Sequence, residues 1–363
     1  IKMKYLLIIK ILLEKIIKLN ICFLKREISG YPKLVKEFEN NFSNYIGKKF
    51  GLTFCNGTSS IEAALYALNL SKDDEVLVPS STFHATLGPI INLSLKPVFV
   101  DIDPHTLTVD CNDIRKKITS RCKALLIVHP WGYPCNMNEI QKISREFKLR
   151  LIEDCSHAHG AIFDGKKVGS LGDAGVFSFY GNKIITSGEG GMITTDDEAL
   201  YKKMRYLRDH AMSKEKRYWH TEVGFNYRMT NLQAALGVAQ FERIDELLDK
   251  KKKIFEWYQD GLKDVEGIRL NHQASWAKNV YWMVCLELDK CNETQRDEFI
   301  QKLKAKNIDS RPYFYPVSDM PMYESVNTPI AHEVYQRGLN LPSYFDITHG
   351  QVEYICNELK RLL

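Results

Sequence analysis

Lys183, Asp154, Ser178 and His157 are the residues of this sequence whose types and spacing invite chemistry. Lys183 stands in "DAGVFSFYGNKIITSGEGGMITTDD", between an apolar run that contains Ser178 and a Thr/Ser/Gly cluster. A lysine attacks a carbonyl only as the neutral amine, so burial and neighbouring charge must work against its ordinary pKa of about 10.4. A glycine-rich connection between two buried strands can hold such an amine inside the fold. Asp154 ends the run "LRLIED", and His157 follows in "CSHAHG". A carboxylate closing a buried strand is costly unless something cationic meets it: a protonated pyridine nitrogen, an arginine or a helix N-terminus. Further upstream, "NGTSS" opens a helix. Gly57 would allow a tight turn, and the N–H groups and hydroxyls of Thr58 and Ser59 would face outward at the positive end of the helix, a cradle for phosphate. Taken singly, each residue has a plain structural reading as a surface cation, a cap or a satisfied histidine.

Positioning these groups is the task of alternating apolar runs and helical segments. The runs "KKFGLTFC", "DEVLVPS", "KPVFVDID", "CKALLIVHP", "LRLIED", "AGVFSFY" and "GMITT" read as strands, and "GTSSIEAALYALNL" as a helix with Ile61, Ala64, Leu65 and Leu68 on one face. Near-continuous apolar strands alternating with helices predict a mostly parallel seven-stranded sheet sandwiched by helices, an α/β fold. Ligands of such folds collect at the carboxyl ends of the strands, where Asp154 and the "NGTSS" turn fall. A long helix is expected from Thr230, as N-cap, through Leu262. Beyond it "NVYWMVCLELD" reads as a strand, "ETQRDEFIQKLKAKN" as a helix and "IDSRPYFYP" as a strand. The expected division is an N-terminal helical arm over 1–29, a large domain over 30–240 and a smaller α+β domain over 241–363.

With 363 residues, 44% hydrophobic and 26% charged, the chain has the composition of a soluble globular protein with a sizeable core. A net charge of +5, spread along the chain, does not suggest a nucleic-acid surface. The densest basic cluster, "DKKKKIF" at 249–255, reads as a solvated helix face. Nine cysteines without a C-x-x-C pair predict reduced thiols, a cytoplasmic location and no zinc site. The opening "IKMKYLLIIKILLEKIIKLNICFLKRE" is interrupted by Lys10, Glu14, Lys15 and Lys18, so it reads as an amphipathic helix and not a membrane span.

In chain order, "GTSS", "PSSTFHAT", "PVFVDIDPHTLTVD", "IEDCSHAHGA", "KKVGSLGDAGVFSFYGNKIITSGEGGM" and "GFNYRMTNLQAALGVAQFERID" resemble the DegT/DnrJ/EryC1/StrS family of pyridoxal-phosphate sugar aminotransferases. The resemblance runs from about residue 30 to the C-terminus. It implies the fold-type I aminotransferase architecture and amino transfer from an amino acid, L-glutamate, to a nucleotide-linked keto-sugar. "SFYGNKIITSGEGG", "KRYWHTEVGFNYRMTN" and "IDSRPYFYPVSDMPMY" look most like nucleotide-sugar 4-aminotransferases of the GDP-perosamine type, which make 4-amino-4,6-dideoxy sugars.

By that resemblance Lys183 would carry the cofactor covalently, Asp154 would pair with its pyridine nitrogen, and Phe83 would stack on its ring. His157 would lie near its phenolic oxygen, while Gly57, Thr58, Ser59 and Ser178 would hold its phosphate. Asn226 would reach the phosphate of a neighbouring subunit's cofactor, making the enzyme a homodimer with shared sites. His84, Tyr218, His220, Arg228, Arg311 and Tyr313 are the candidates for substrate contact. Two features depart from the family's pattern: the first 27 residues lack its short proline-containing arm, and His84 stands where many members carry an apolar residue. A keto-sugar dehydratase of the same scaffold would carry histidine in place of Lys183. A regulatory protein on this scaffold would not need Lys183, Asp154, Ser178 and Asn226 together. A nicotinamide enzyme would show G-x-G-x-x-G after the first strand, and this chain does not.

Overall fold

A computed structural model describes Cys22, Ile28, Ser29, residues 33–324 and residues 326–363. The expected N-terminal amphipathic helix lies outside the described residues, Cys22 apart. All seven apolar runs form strands: β1 (Phe50–Phe54), β2 (Glu75–Pro79), β3 (Lys96–Val100), β4 (Cys122–Val128), β5 (Arg150–Asp154), β6 (Ala174–Ser178) and β7 (Gly191–Thr195). They make one sheet in the order β1-β7-β6-β5-β4-β2-β3. Only β7 runs antiparallel, pairing with β1 on one side and β6 on the other. The other pairings are parallel.

Strand geometry explains why the runs read as continuous. Successive side chains point to opposite faces, and here both faces are covered. Val76, Val78 and Leu126 enter one buried cluster with Ile61 and Leu65 of helix α1 (Gly57–Ala67). Leu77, Leu125 and Ile127 enter another with Ile140 and Ile143 of helix α2 (Met137–Phe147). Because six strands share a direction, the segments after β1, β2, β5 and β6 emerge at one edge.

The predicted long helix is two helices, α3 (Asn231–Phe241) and α4 (Ile244–Leu262). Thr230 caps the first, its side chain accepting from the Gln233 N–H. The break falls at Arg243, with φ −111° and ψ 12°, whose guanidinium bonds the Glu246 carboxylate at 2.8 and 2.9 Å. The bend gives the two apolar stripes different partners: α3 packs on the helix Lys33–Ile46, and α4 on helix α7 (His349–Leu362).

A second, antiparallel sheet follows in the order β8-β9-β11-β10, with β8 (Ile268–Leu270), β9 (Val284–Leu288), β10 (Arg311–Pro312) and β11 (Gly338–Leu341). Helices α5 (Glu293–Ala305) and α6 (Pro329–Arg337) precede and follow β10. Its core joins Ile254, Phe255 and Tyr258 of α4 to Leu286, Leu303, Leu339, Ile355 and Leu359. The run "IDSRPYFYP" pairs only through Arg311 and Pro312. Proline cannot donate to a ladder, and the next side chains turn into an aromatic stack beneath the strand ends.

Candidate active site

Gly57, Thr58, Phe83, Asp154, His157, Ser178 and Lys183, seven of the residues expected from the sequence, line one cavity of about 370 Å³ at the carboxyl edge of the first sheet. This size falls within the range of small-molecule sites. Asn56, Thr86, Ser156, Tyr180 and Glu189 line it too.

The phosphate-type end is built by close backbone approach. Asn56 caps α1, accepting from the Ser59 N–H at 2.8 Å, while the Ser59 hydroxyl accepts from the Asn56 N–H at 3.3 Å. Ser59 is therefore engaged in the cap and does not border the cavity. Gly57 is the first residue of the helix, and its requirement is space, not a turn. A Cβ there would lie 2.9 Å from the Ser178 Cβ, with Ser178 Oγ at 3.4 Å and Ser156 Oγ at 3.5 Å. The glycine thus leaves a hollow bounded by hydroxyls and by the N-terminus of α1. Gly191, at the start of β7, is needed for the same reason, since a Cβ would meet the Asn56 carbonyl oxygen at 2.2 Å.

Asp154, the last residue of β5, is buried at 4% exposure. Its Oδ2 accepts from Thr86 Oγ1 at 3.0 Å and its Oδ1 from the Ser156 N–H at 3.0 Å. Those two bonds fix the orientation of the carboxylate in the cavity wall. Beneath it, Glu153 and His129 form a fully buried pair, with His129 Nε2 3.1 Å from Glu153 Oε2. The Cys135 N–H donates to His129 Nδ1 at 3.0 Å, so in the neutral ring the proton sits on Nε2 and points at Glu153. Glu153 also accepts from the N–H groups of Gly169, Leu171 and Gly172 at 2.8, 2.7 and 2.6 Å. Burial raises its pKa, but His129 and those N–H groups outweigh burial and hold it below the usual carboxylate range. His129, Glu153 and Cys155 cluster closely enough to ligate a metal, yet these bonds already occupy the histidine and the carboxylate.

Lys183 is half-buried. Burial draws its pKa down from 10.5 to about 8, against the opposing pull of Asp154. Its amine lies 4.3 Å from the centroid of the Trp282 ring. Trp282 in turn stacks on His157 at 4.1 Å with the planes 8° apart, and its Nε1 donates to the Asn182 carbonyl at 2.8 Å. His157 is 5% exposed, and its Nδ1 has no hydrogen-bond partner. Burial, reinforced by the Lys183 charge, pushes its pKa well below the ordinary value, so the ring is neutral.

The substrate candidates scatter. His84 sits in a short turn after β2, its Nε2 3.1 Å from the Tyr323 hydroxyl. Tyr313 is buried, stacked on Trp131 at 5.2 Å, and belongs to the aromatic packing and not to the cavity wall. Tyr218 is 74% exposed, and His220, also exposed, holds the His210 carbonyl through Nδ1 at 2.7 Å. Arg228 pairs with Asp209 at 2.9 Å and donates to Asn226 Oδ1 at 3.3 Å; Asn226 is exposed and away from this cavity. Arg311 is exposed and lines a second cavity, of about 820 Å³, on which Lys183 also borders.

Thr86 and Trp282 are functional positions the sequence did not single out. "STFHAT" carried a signal for Thr86, three residues after Phe83 and one helical turn on. "NVYWMV" offered only an aromatic in a strand, with nothing to say that it would stack on His157.

The cavity fits pyridoxal phosphate on its own terms. It offers a desolvated amine, a buried carboxylate oriented by two hydrogen bonds, an unpartnered histidine nitrogen and a hydroxyl-lined hollow at a helix N-terminus. The chain belongs to the DegT/DnrJ/EryC1/StrS aminotransferase family, whose model matches residues 21–360. It is a pyridoxal-phosphate-dependent aminotransferase.

Among its relatives is GDP-perosamine synthase of Caulobacter vibrioides, 42% identical over 341 residues, 93% of this chain and 92% of that protein. The GDP-perosamine synthase of Escherichia coli O157:H7 is 38% identical over 94% of this chain and 93% of its own length. The solved structure of DesI in the presence of its TDP-sugar product superposes with a TM-score of 0.89 at 29% identity, covering 96% of this chain and 89% of that one. The expected fold-type I architecture and its cofactor are therefore borne out. Among the described residues no helix is long and apolar enough to cross a membrane.

Proposed function

We propose that the enzyme moves an amino group from L-glutamate to C4 of a GDP-linked 4-keto-6-deoxy sugar, giving a 4-amino-4,6-dideoxy sugar nucleotide of the perosamine type. Likeness to GDP-perosamine synthases over more than nine-tenths of the chain supports this choice of acceptor. The observation that carries the chemistry is the desolvated Lys183 amine on the same cavity wall as the buried Asp154.

Pyridoxal phosphate, when bound, supplies an electron sink conjugated to the substrate carbon that loses its proton. Lys183 would hold it covalently at rest. The Lys183 amine would serve as the base for the donor's α-proton and, in the second half-reaction, as the acid that delivers a proton to the sugar carbon. Asp154 would pair with the pyridine nitrogen and keep it protonated, and Thr86 fixes the orientation of that carboxylate. Phe83, on the cavity wall, would stack on one face of the ring. His157, locked by Trp282, would offer its free Nδ1 to the phenolic oxygen.

Gly57, Thr58 and Ser178 would receive the phosphate through backbone N–H groups and hydroxyls, while Ser59, held in the cap by Asn56, would support that turn from behind. Asn226, exposed on its own subunit, completes the phosphate site of a partner in a homodimer. His84, Tyr218, His220, Arg228 and Arg311 remain candidates for contact with the nucleotide sugar, whereas Tyr313 is taken up by the aromatic packing; His84 lies next in sequence to Phe83. Nine free thiols favour a reducing, cytoplasmic setting.

The test is incubation with pyridoxal phosphate, glutamate and the keto-sugar linked to GDP, UDP or TDP. The expected result is a GDP-linked product whose mass shows an amine in place of the ketone, with 2-oxoglutarate formed one for one. Amination of the UDP or TDP compound alone would overturn the choice of nucleotide.

A further inference from the structure

The "DKKKKIF" run does not lie wholly in solvent. Lys252 and Lys253 are exposed, but Lys251 is 6% exposed, within α4. Its ammonium donates to the Trp282 carbonyl at 3.1 Å and to the Ser343 carbonyl, and lies 4.9 Å from the centroid of the Phe345 ring. No carboxylate among the described residues pairs with it. Burial alone brings its pKa from 10.5 to about 8. A buried cation without a counter-charge is an expensive feature to keep. An ammonium has three N–H donors, and carbonyls use two of Lys251's.

Lys251 borders the 820 Å³ cavity, whose wall also carries Lys183 and Arg311. The other cations there already have acidic partners: Arg311 lies 3.5 Å from Asp309, and Lys306 lies 3.4 Å from Glu358. Trp282 links the half-buried Lys183 to the buried Lys251, its ring under the Lys183 amine and its carbonyl on the Lys251 amine. The 370 Å³ cavity contains Lys183 and no other cation among its lining residues. An amino-acid donor must bring at least one carboxylate to the neighbourhood of Lys183, and that carboxylate needs a positive partner.

We propose that the 820 Å³ cavity, which Lys183 also borders, is the carboxylate pocket for the amino donor, with Lys251 as its buried anchoring cation. The inference rests on the aminotransferase reading and specifies where its donor docks. A small dicarboxylate reaches the third N–H of Lys251 from the cavity and supplies the missing counter-charge. The carbonyls of Trp282 and Ser343 fix the direction of that N–H, so Lys251 selects for the donor while Lys183 performs the transfer.

The probe is glutarate, a dicarboxylate with no amine to transfer, titrated calorimetrically into the cofactor-loaded enzyme. Lys251→Met should weaken glutarate binding about tenfold or more and raise KM for glutamate by a similar factor, the loss expected for one hydrogen bond to a charged group. KM for the keto-sugar nucleotide should stay unchanged. Undiminished glutarate affinity in the variant, or a rise confined to the nucleotide's KM, overturns the proposal.

Should Lys251→Met fail to fold, differential acetylation of the wild-type chain decides. Glutarate should shield Lys251 from N-hydroxysuccinimidyl acetate and leave exposed Lys302 equally labelled; equal labelling of Lys251 with and without glutarate overturns the assignment. Glutarate binding that depends on Lys251 in a protein that transfers no amino group would sink the reaction and leave the anion site standing. Amino transfer with glutarate indifferent to Lys251 would do the reverse.

Discussion

The Lys183 amine sits 4.3 Å from the centroid of the Trp282 ring, whose plane lies nearly parallel to that of His157. An aromatic face attracts a cation, so Trp282 positions the ammonium while the surrounding protein desolvates it. Trp282→Leu removes both the ring beneath the amine and the ring that locks His157. It should keep the fold, lower kcat by about tenfold or more through misplacement of Lys183, and shift the absorbance of the bound cofactor. An unchanged spectrum and unchanged kcat would show that the indole is only packing.

Lys183→Ala should abolish covalent attachment of pyridoxal phosphate and cost at least the ~10²–10⁴ in rate of a positioned acid–base group. The check is borohydride reduction followed by peptide mapping. Retention of a reducible adduct on the variant would refute the assignment.

Capture of pyridoxal phosphate by the apoprotein should depend on pH with a definite sign. The amine attacks only when neutral, and its folded-state pKa is lowered to about 8. The rate of covalent capture should therefore rise with pH through a midpoint near 8. A midpoint near the ordinary lysine value of about 10.4 would mean that the amine is solvated.

Asp154→Asn should leave cofactor bound and reduce turnover by roughly 10²–10³, the range for loss of one preorganised electrostatic partner. Full activity in that variant would remove the role given to the carboxylate. Gly57→Ala tests the other end of the site. Its methyl would press on the Ser178 Cβ at 2.9 Å, so Kd for pyridoxal phosphate should rise about tenfold, or about 1.4 kcal/mol. Thermal stability should change little by comparison.

Glu153→Ala should lower stability by about 3–5 kcal/mol, because it strips a buried histidine and three N–H groups of their shared acceptor. Denaturant unfolding of the apoprotein measures the loss. A loss below about 1 kcal/mol would mean that water replaces the carboxylate in the variant.

Much of this architecture was legible in the residues because most strands of the first sheet are buried on both faces and so read as unbroken apolar runs. Asp154, Ser178 and Lys183 were legible because polar groups at the ends of such runs stand out. Three things were not. The break at Arg243 leaves no glycine or proline as a marker; what it satisfies is two different packing partners. Lys251 is one of four consecutive lysines, and only the carbonyls of residues 282 and 343, distant in sequence, single it out. Trp282 becomes part of the site through stacking on a residue 125 positions earlier (282 − 157), which no local pattern encodes.

The chain between Tyr313 and Ala331 follows the second sheet's strand β10, yet its polar groups bond back to the first sheet. Val317 donates its N–H to the Ser80 carbonyl, Ser80 Oγ lies within 3.0 Å of the hydroxyls of both Ser318 and Thr328, and Asp101 accepts from the N–H groups of Ile330 and Ala331 at 2.9 Å. These bonds stitch the two halves together at a seam that a cut at any single position between residues 241 and 313 would leave unsatisfied on both sides. Fragments made there should be insoluble when produced alone and should recover only when produced together.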